Sequence, residues 1–136
     1  DELKYLTRVL GLEDKVHFPG FVSDDERNNL LSIASMAVFP SLYEPFGIVA
    51  LEGMAAGKPV IVADTGGLGE IVSHGYNGLK FPPGDSNALA GAILTLLRSE
   101  ELADCLTEQA FMDLRNLYDW DVLANQTSEV YERVAD

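Results

Sequence analysis

Pro40-Ser41-Leu42-Tyr43-Glu44-Pro45-Phe46-Gly47-Ile48-Val49-Ala50-Leu51-Glu52-Gly53-Met54-Ala55-Ala56-Gly57-Lys58-Pro59-Val60 is the stretch on which the fold turns. It reads as a loop over 41–46, a helix over 47–56 stopped by Gly57-Lys58, and the start of a strand over 59–63. Upstream, Met36-Ala37-Val38-Phe39 is a continuous apolar run closed by Pro40, the pattern of a strand buried on both faces. Short apolar strands that alternate with helices predict a parallel sheet with helices on both faces.

Further upstream, Asp1–Leu12 reads as an amphipathic helix with Leu3, Leu6, Leu10 and Tyr5 on one face and Gly11 as its stop. Val16-His17-Phe18 is a short strand candidate ended by Pro19-Gly20. Ser23 followed three residues later by Glu26 predicts a capping box at the head of a helix that carries Leu30, Leu31, Ile33 and Ala34. Downstream of the central stretch come a loop over Asp64–Gly69, a short helix over Glu70–Ser73, a turn at His74–Gly78 and a strand at Leu79–Phe81. Helices over Ser86–Leu97, Glu101–Leu114 and Asp121–Val134 close the chain, with Trp120 as an expected packing anchor. Doubly wound domains usually open with a strand, and this chain opens with a helix. Residues 1–136 are therefore expected to form a single domain fragment that lacks its first strand-helix units.

The 136 residues carry 9 Lys+Arg against 22 Asp+Glu, a formal charge of −13. So acidic a surface repels phosphate backbones and argues against a nucleic-acid partner. A hydrophobic share of 47% with 23% charged residues fits a globular domain. No apolar run reaches the ~20 residues of a membrane span, and no signal-peptide pattern is legible, so a cytoplasmic location is the expectation. The lone Cys105 has no base beside it in the pattern and reads as inert, and no Cys/His cluster has metal-ligand spacing.

In open α/β sheets, ligands bind at the carboxyl ends of the strands. Three loops should meet there: Gly20–Asp24, Pro40–Phe46 and Asp64–Gly69. Glu44 precedes the central helix and Glu52 lies inside it, with seven residues between them. The helix is otherwise apolar nearly all round, so Glu52 either faces a polar crevice or reaches solvent near the helix start, where the macrodipole favours it. Gly47 has two readings as well. It opens the N–H groups of residues 47–49 to an anion, or it only lets the chain turn into the helix. Gly66-Gly67 divides the same way. Glu70 has the place of a first-turn helix residue, and His17 and His74 are isolated. A receiver-type signalling domain would need a phosphoacceptor Asp at a strand end with a neighbouring acidic pair, which cannot be assembled here.

The stretch Pro40–Val60 resembles the signature of retaining glycosyltransferases of family 4, which have the GT-B fold, and includes their E-x7-E motif. Supporting pieces are Val16-His17-Phe18-Pro19-Gly20-Phe21-Val22 before it and Gly66-Gly67-Leu68-Gly69-Glu70-Ile71-Val72 after it, with Asn77-Gly78-Leu79 and Trp120 extending the match. The resemblance implies a Rossmann-like, donor-binding C-terminal half of a GT-B enzyme. It places Glu44 beside the donor sugar in a catalytic position and Glu52 on the ribose hydroxyls. It brings the backbone of Phe46, Gly47, Ile48 and Val49 to the sugar and diphosphate. Val22, in the loop beside Phe21, would flank the base, with Arg27 nearby. The implied ligand is a nucleotide-diphosphate sugar, with no cofactor and no metal bound to the protein.

The basic residues that clamp the diphosphate in that family, and the acceptor-binding N-terminal domain, would lie upstream of Asp1. The implied partner is thus the acceptor-binding domain of the same enzyme, and peripheral membrane contact of the parent stays open. The chain by itself is expected to be inactive or nearly so. The alternative is a non-catalytic nucleotide-sugar-binding or regulatory module.

Overall fold

A computed structural model describes residues 2–135. Its elements in chain order are α1 (Glu2–Val9), α2 (Asp24–Ile33), β1 (Ala37–Phe39), α3 (Ile48–Ala55), β2 (Val60–Ala63), α4 (Gly66–Ile71), β3 (Leu79–Phe81), α5 (Ser86–Arg98), α6 (Glu100–Leu117) and α7 (Trp120–Ala135). The strands form a three-stranded parallel sheet in the order β1-β2-β3. Ala37, Val38 and Phe39 stand beside Val60, Ile61 and Val62, and Ile61, Val62 and Ala63 beside Leu79, Lys80 and Phe81. The Rossmann-like α/β architecture expected from the sequence is present.

Alternation along β2 sorts the core into two layers, because successive side chains of a strand point to opposite faces. Val60 and Val62 pack with Ala37, Ala50, Met54, Leu68 and Val72 on the side covered by α3 and α4. Ile61 and Ala63 pack with Leu79, Phe81 and Leu96 on the side covered by α5. The long α6 serves both layers: Ala110 joins the first and Leu106 the second. All four residues of β2 are fully buried, which explains its unbroken apolar sequence.

Several boundaries differ from the sequence reading, each for a physical reason. Val16–Phe18 belongs to no strand, because a ladder requires a neighbour and no described segment pairs with it. β1 is buried only at Ala37, with Val38 and Phe39 partly covered, since it is paired on one side alone. α1 ends at Val9, and Leu3, Leu6 and Leu10 lie exposed while Thr7 is its buried residue. Asp1, placed in this helix by the sequence, lies outside the described residues. Trp120 opens α7 but is 85% exposed, so it anchors no packing among the described residues.

The short helix expected at Glu70–Ser73 instead runs over Gly66–Ile71. Tertiary contact overrides the low helix propensity of Gly66 and Gly67 there. The capping box of α2 forms as expected: Glu26 N–H donates to Ser23 Oγ at 3.3 Å, and Ser23 N–H donates to Glu26 Oε2 at 2.8 Å.

Candidate functional site

The loops after β1 and β2 lock together through backbone. Gly67 N–H donates to the Glu44 carbonyl at 2.8 Å, and Thr65 Oγ1 donates to the Leu42 carbonyl at 3.3 Å. A Cβ on Gly66 would collide with the Glu44 carbonyl, and one on Gly67 with the Phe46 backbone. A Cβ on Gly47 would lie 2.8 Å from the Gly67 carbonyl carbon. The two readings of Gly66-Gly67 are thereby decided at Gly67: its N–H is taken by the neighbouring loop, and the pair's smallness allows the close approach. Gly47 adds a left-handed φ of 75°, a conformation that favours glycine.

This interlock sets the head of α3. Glu44, partly buried, turns its carboxylate back onto the helix start, where Oε1 accepts the Gly47 N–H at 3.3 Å. Ala50 N–H is satisfied by the Gly47 carbonyl at 3.0 Å. The N–H groups of Ile48 and Val49 belong to the first turn, where a helix offers them no partner of its own. The positive end of α3 thus already holds one carboxylate, as the macrodipole favours. Phe46 and Ile48 project outward, 73% and 60% exposed, whereas Val49 packs against the core.

Glu52 lies one turn further along α3 with its side chain 37% exposed. Its Oε1 is 3.3 Å from Nη1 of Arg27 on α2, and the same nitrogen is 3.2 Å from Asp24 Oδ1. Glu52 is thus paired with Arg27 and at the same time reaches solvent. Arg27, Asn28, Ser32, Glu52, Ala55 and Ala56 line a groove of about 380 Å³ between the two helices. Arg27 Nε is buried with no hydrogen-bond partner.

Glu44 is thus joined to Gly47, and Glu52 to Arg27. Val22 is not brought to either: it lines a separate cavity of about 590 Å³ with Pro19, Leu30 and Ile33. Gly20–Asp24 follows no paired strand, so only two of the three expected loops meet at the end of the sheet. Sequence reasoning missed Thr65 and Leu42 as the second tie between those loops. The available signal was the Gly-Gly pair straight after a buried strand.

At the far edge of the sheet, Lys80 Nζ is held by Asp64 Oδ1 at 2.9 Å and the Gly69 carbonyl at 3.2 Å. His74 Nδ1 accepts the Lys80 N–H at 2.9 Å, which covers the open side of β3. Among the described residues no three His, Cys, Asp or Glu side chains cluster closely enough to hold a metal ion, and no helix is long and apolar enough to cross a membrane.

The chain was compared with known proteins. It is 41% identical over 132 residues to an uncharacterized glycosyltransferase of Methanocaldococcus jannaschii, covering 97% of this chain and 34% of the relative. It is 40% identical over 114 residues to the glycogen synthase of Mycobacterium tuberculosis, covering 84% of this chain and 28% of the relative. Among solved structures, Anabaena HepE in complex with UDP superposes with a TM-score of 0.88 at 33% identity, over 97% of this chain and 36% of that one. The chain therefore spans about a third of the length of these relatives. The profile of the family described as glycosyl transferases group 1 matches residues 1–112, and the chain belongs to that family, with the Rossmann-like fold of a GT-B C-terminal domain.

Proposed function

We propose that this chain is the donor-binding part of a retaining glycosyltransferase, which moves a sugar from a nucleotide-diphosphate sugar to an acceptor. The observation that carries this reading is the pair of carboxylates set along α3: Glu44 on the Gly47 N–H at 3.3 Å and Glu52 beside the groove at 3.3 Å from Arg27. Support comes also from HepE, whose structures hold UDP and UDP-glucose.

In this reading the ribose hydroxyls donate to Glu52. The N–H groups of Gly47, Ile48 and Val49 at the positive end of α3 face the diphosphate, and the Phe46 backbone meets the sugar. Val22 and Arg27 belong to the base side. A donor phosphate at the Gly47 N–H competes with the Glu44 carboxylate, so binding frees Glu44 to turn towards the sugar. During transfer the bond between the anomeric carbon and the diphosphate breaks as the acceptor hydroxyl oxygen bonds to that carbon on the same face, and the hydroxyl's proton passes to the departing diphosphate oxygen. Donors aimed at the leaving oxygens lower the barrier because they need no reorganisation as charge develops. The reading requires no cofactor and no protein-bound metal.

We propose further that the chain alone binds donor without appreciable transfer, and that the parent enzyme supplies an acceptor-binding half. In support, the chain spans about a third of the length of the relatives it matches. The test is calorimetric titration of the chain with UDP-, GDP- and ADP-glucose, with Glu52→Ala as control. Saturable binding that the substitution abolishes is the expected result. No binding of any donor at millimolar concentration overturns the donor-site reading, and robust donor hydrolysis or transfer overturns the inactivity.

A further inference from the structure

Arg27 stands where the base side of the donor site is proposed, yet its Nη1 is turned to two carboxylates of this chain. Nη1 bridges two carboxylates, Asp24 Oδ1 at 3.2 Å and Glu52 Oε1 at 3.3 Å, and Nε is buried against protein with no partner. Asp24 is the first residue of α2. Its helix start is fixed in turn by the Ser23–Glu26 capping box. A chain of contacts thus runs from the cap of α2 through Asp24 and Arg27 to the one carboxylate inside α3. We infer that Arg27 is a positioning residue for Glu52: it holds the carboxylate in the orientation that receives a ribose and makes no direct contact with the nucleotide. The inference rests on the donor-site reading above.

Magnitude separates this role from a stabilising one. The two side chains are 39% and 37% exposed, and ion pairs so open to solvent contribute little to folding because water screens them. Orientation is a different matter. An unpaired Glu52 on the rim of a groove would sample several rotamers, and a ligand would have to select one of them on binding. A guanidinium suits the task because it is always charged and its planar head can stand between two carboxylates at once.

Local charge points the same way. Asp24, Asp25 and Glu26 crowd the head of α2, and Arg27 is the cation paired with Glu52 there. Lys58, just beyond the end of α3, has its Nζ on the Ser32 carbonyl at 2.9 Å.

The experiment takes whichever of UDP, GDP and ADP the chain binds, with its 2′,3′-dideoxy counterpart, and titrates both into the unaltered chain, Arg27→Leu, Arg27→Lys, Glu52→Gln and the Arg27→Leu/Glu52→Gln double variant. Arg27→Leu is expected to weaken the ribonucleotide by about three- to tenfold, the worth of one side chain's rotamer freedom, and to leave the dideoxynucleotide unchanged. Arg27→Lys should recover part of the loss, and in the Glu52→Gln background Arg27→Leu should have no further effect. Thermal melting of each variant confirms that the fold is kept.

An equal loss for both nucleotides, or an additive loss in the double variant, overturns the inference in favour of direct contact. Ribonucleotide binding that falls with Glu52→Gln but not with Arg27→Leu also overturns it while the donor-site reading stands. A chain that binds none of the nucleotides removes both.

Discussion

Gly67 donates its N–H to the carbonyl of Glu44 at 2.8 Å, and neither Gly67 nor the adjacent Gly66 has room for a side chain. The loop that carries the first glutamate of the motif is therefore held by the start of α4, a segment more than twenty residues downstream. The orientation of Glu44 against the head of α3 depends on that backbone contact, and so does the path of Phe46 and Gly47.

The first prediction follows from the lack of space. Gly67→Ala forces a methyl group into the Phe46 backbone and should cost about 1–3 kcal/mol, the range for overpacking a tight site. Gly91, inside α5, meets nothing within 4 Å of an added Cβ. Gly91→Ala should stabilise by about 0.5–1 kcal/mol, because alanine has less backbone freedom to lose in a helix. Urea unfolding of both variants checks the opposite signs, and equal effects would refute the spatial argument.

Asn77 offers a test with a pH signature. It is buried, and its Oδ1 accepts the Ser73 N–H at 2.8 Å. Its Nδ2 donates to Asp113 Oδ2 at 2.8 Å and to the Ile71 carbonyl at 3.2 Å. Asn77→Asp replaces a donor with a carboxylate facing a carboxylate and should cost about 3 kcal/mol near neutral pH. Part of the loss should return on acidification, when a proton shared between the two carboxyls restores a donor. Denaturant midpoints at pH 7 and near pH 4 decide it, and a loss independent of pH would count against the shared-proton account.

Tyr118 contributes to the alkaline limb of stability. Burial raises its phenol above the usual range, helped by the negative charges of Asp113 and Glu70. The unfolded chain therefore ionises first. The contribution of Tyr118 is fully present below an unfolded value of about 10 and is lost as pH rises through its higher folded value. Tyr118→Phe, which cannot ionise, should show a shallower fall in thermal midpoint than the unaltered chain as pH rises above about 10. Parallel curves would exclude this residue as the cause.

The head of α2 behaves oppositely. The backbone N–H of Ser23 and then its hydroxyl hold the Glu26 carboxyl below its usual range. That contribution is present above the ordinary glutamate value and is lost as pH falls through the lowered one. Ser23→Ala removes the cap and should cost about 1 kcal/mol at neutral pH. The gap between Ser23→Ala and the unaltered chain should narrow on acidification, read as thermal midpoints at pH 7 and pH 3. A constant gap would mean that the hydroxyl acts without help from the charge.

How much of this was legible beforehand varies by element. β2, the capping box of α2, and the helices α5 and α6 followed from local pattern, because each is specified by its own side chains: an unbroken apolar run, a Ser-x-x-Glu pair, an apolar stripe at helical spacing. α4 was misplaced because two glycines argue against a helix until the opposing loop is known. Val16–Phe18 and Trp120 have the composition of a strand and an anchor, but a strand needs a neighbouring strand and an anchor needs a surface to meet.

The candidate site divides along the same line. Sequence alone determined the residue types and spacing of Glu44, Gly47 and Glu52, and with them the family resemblance, since these lie within nine consecutive residues of one loop-helix unit. Only the tertiary structure decided that Gly67 ties down the loop of Glu44, and that Glu52 faces Arg27 across the groove between α2 and α3. Those pairings join residues about 23 and 25 positions apart, and spacing of that order reflects how helices dock on the sheet, not local backbone preference.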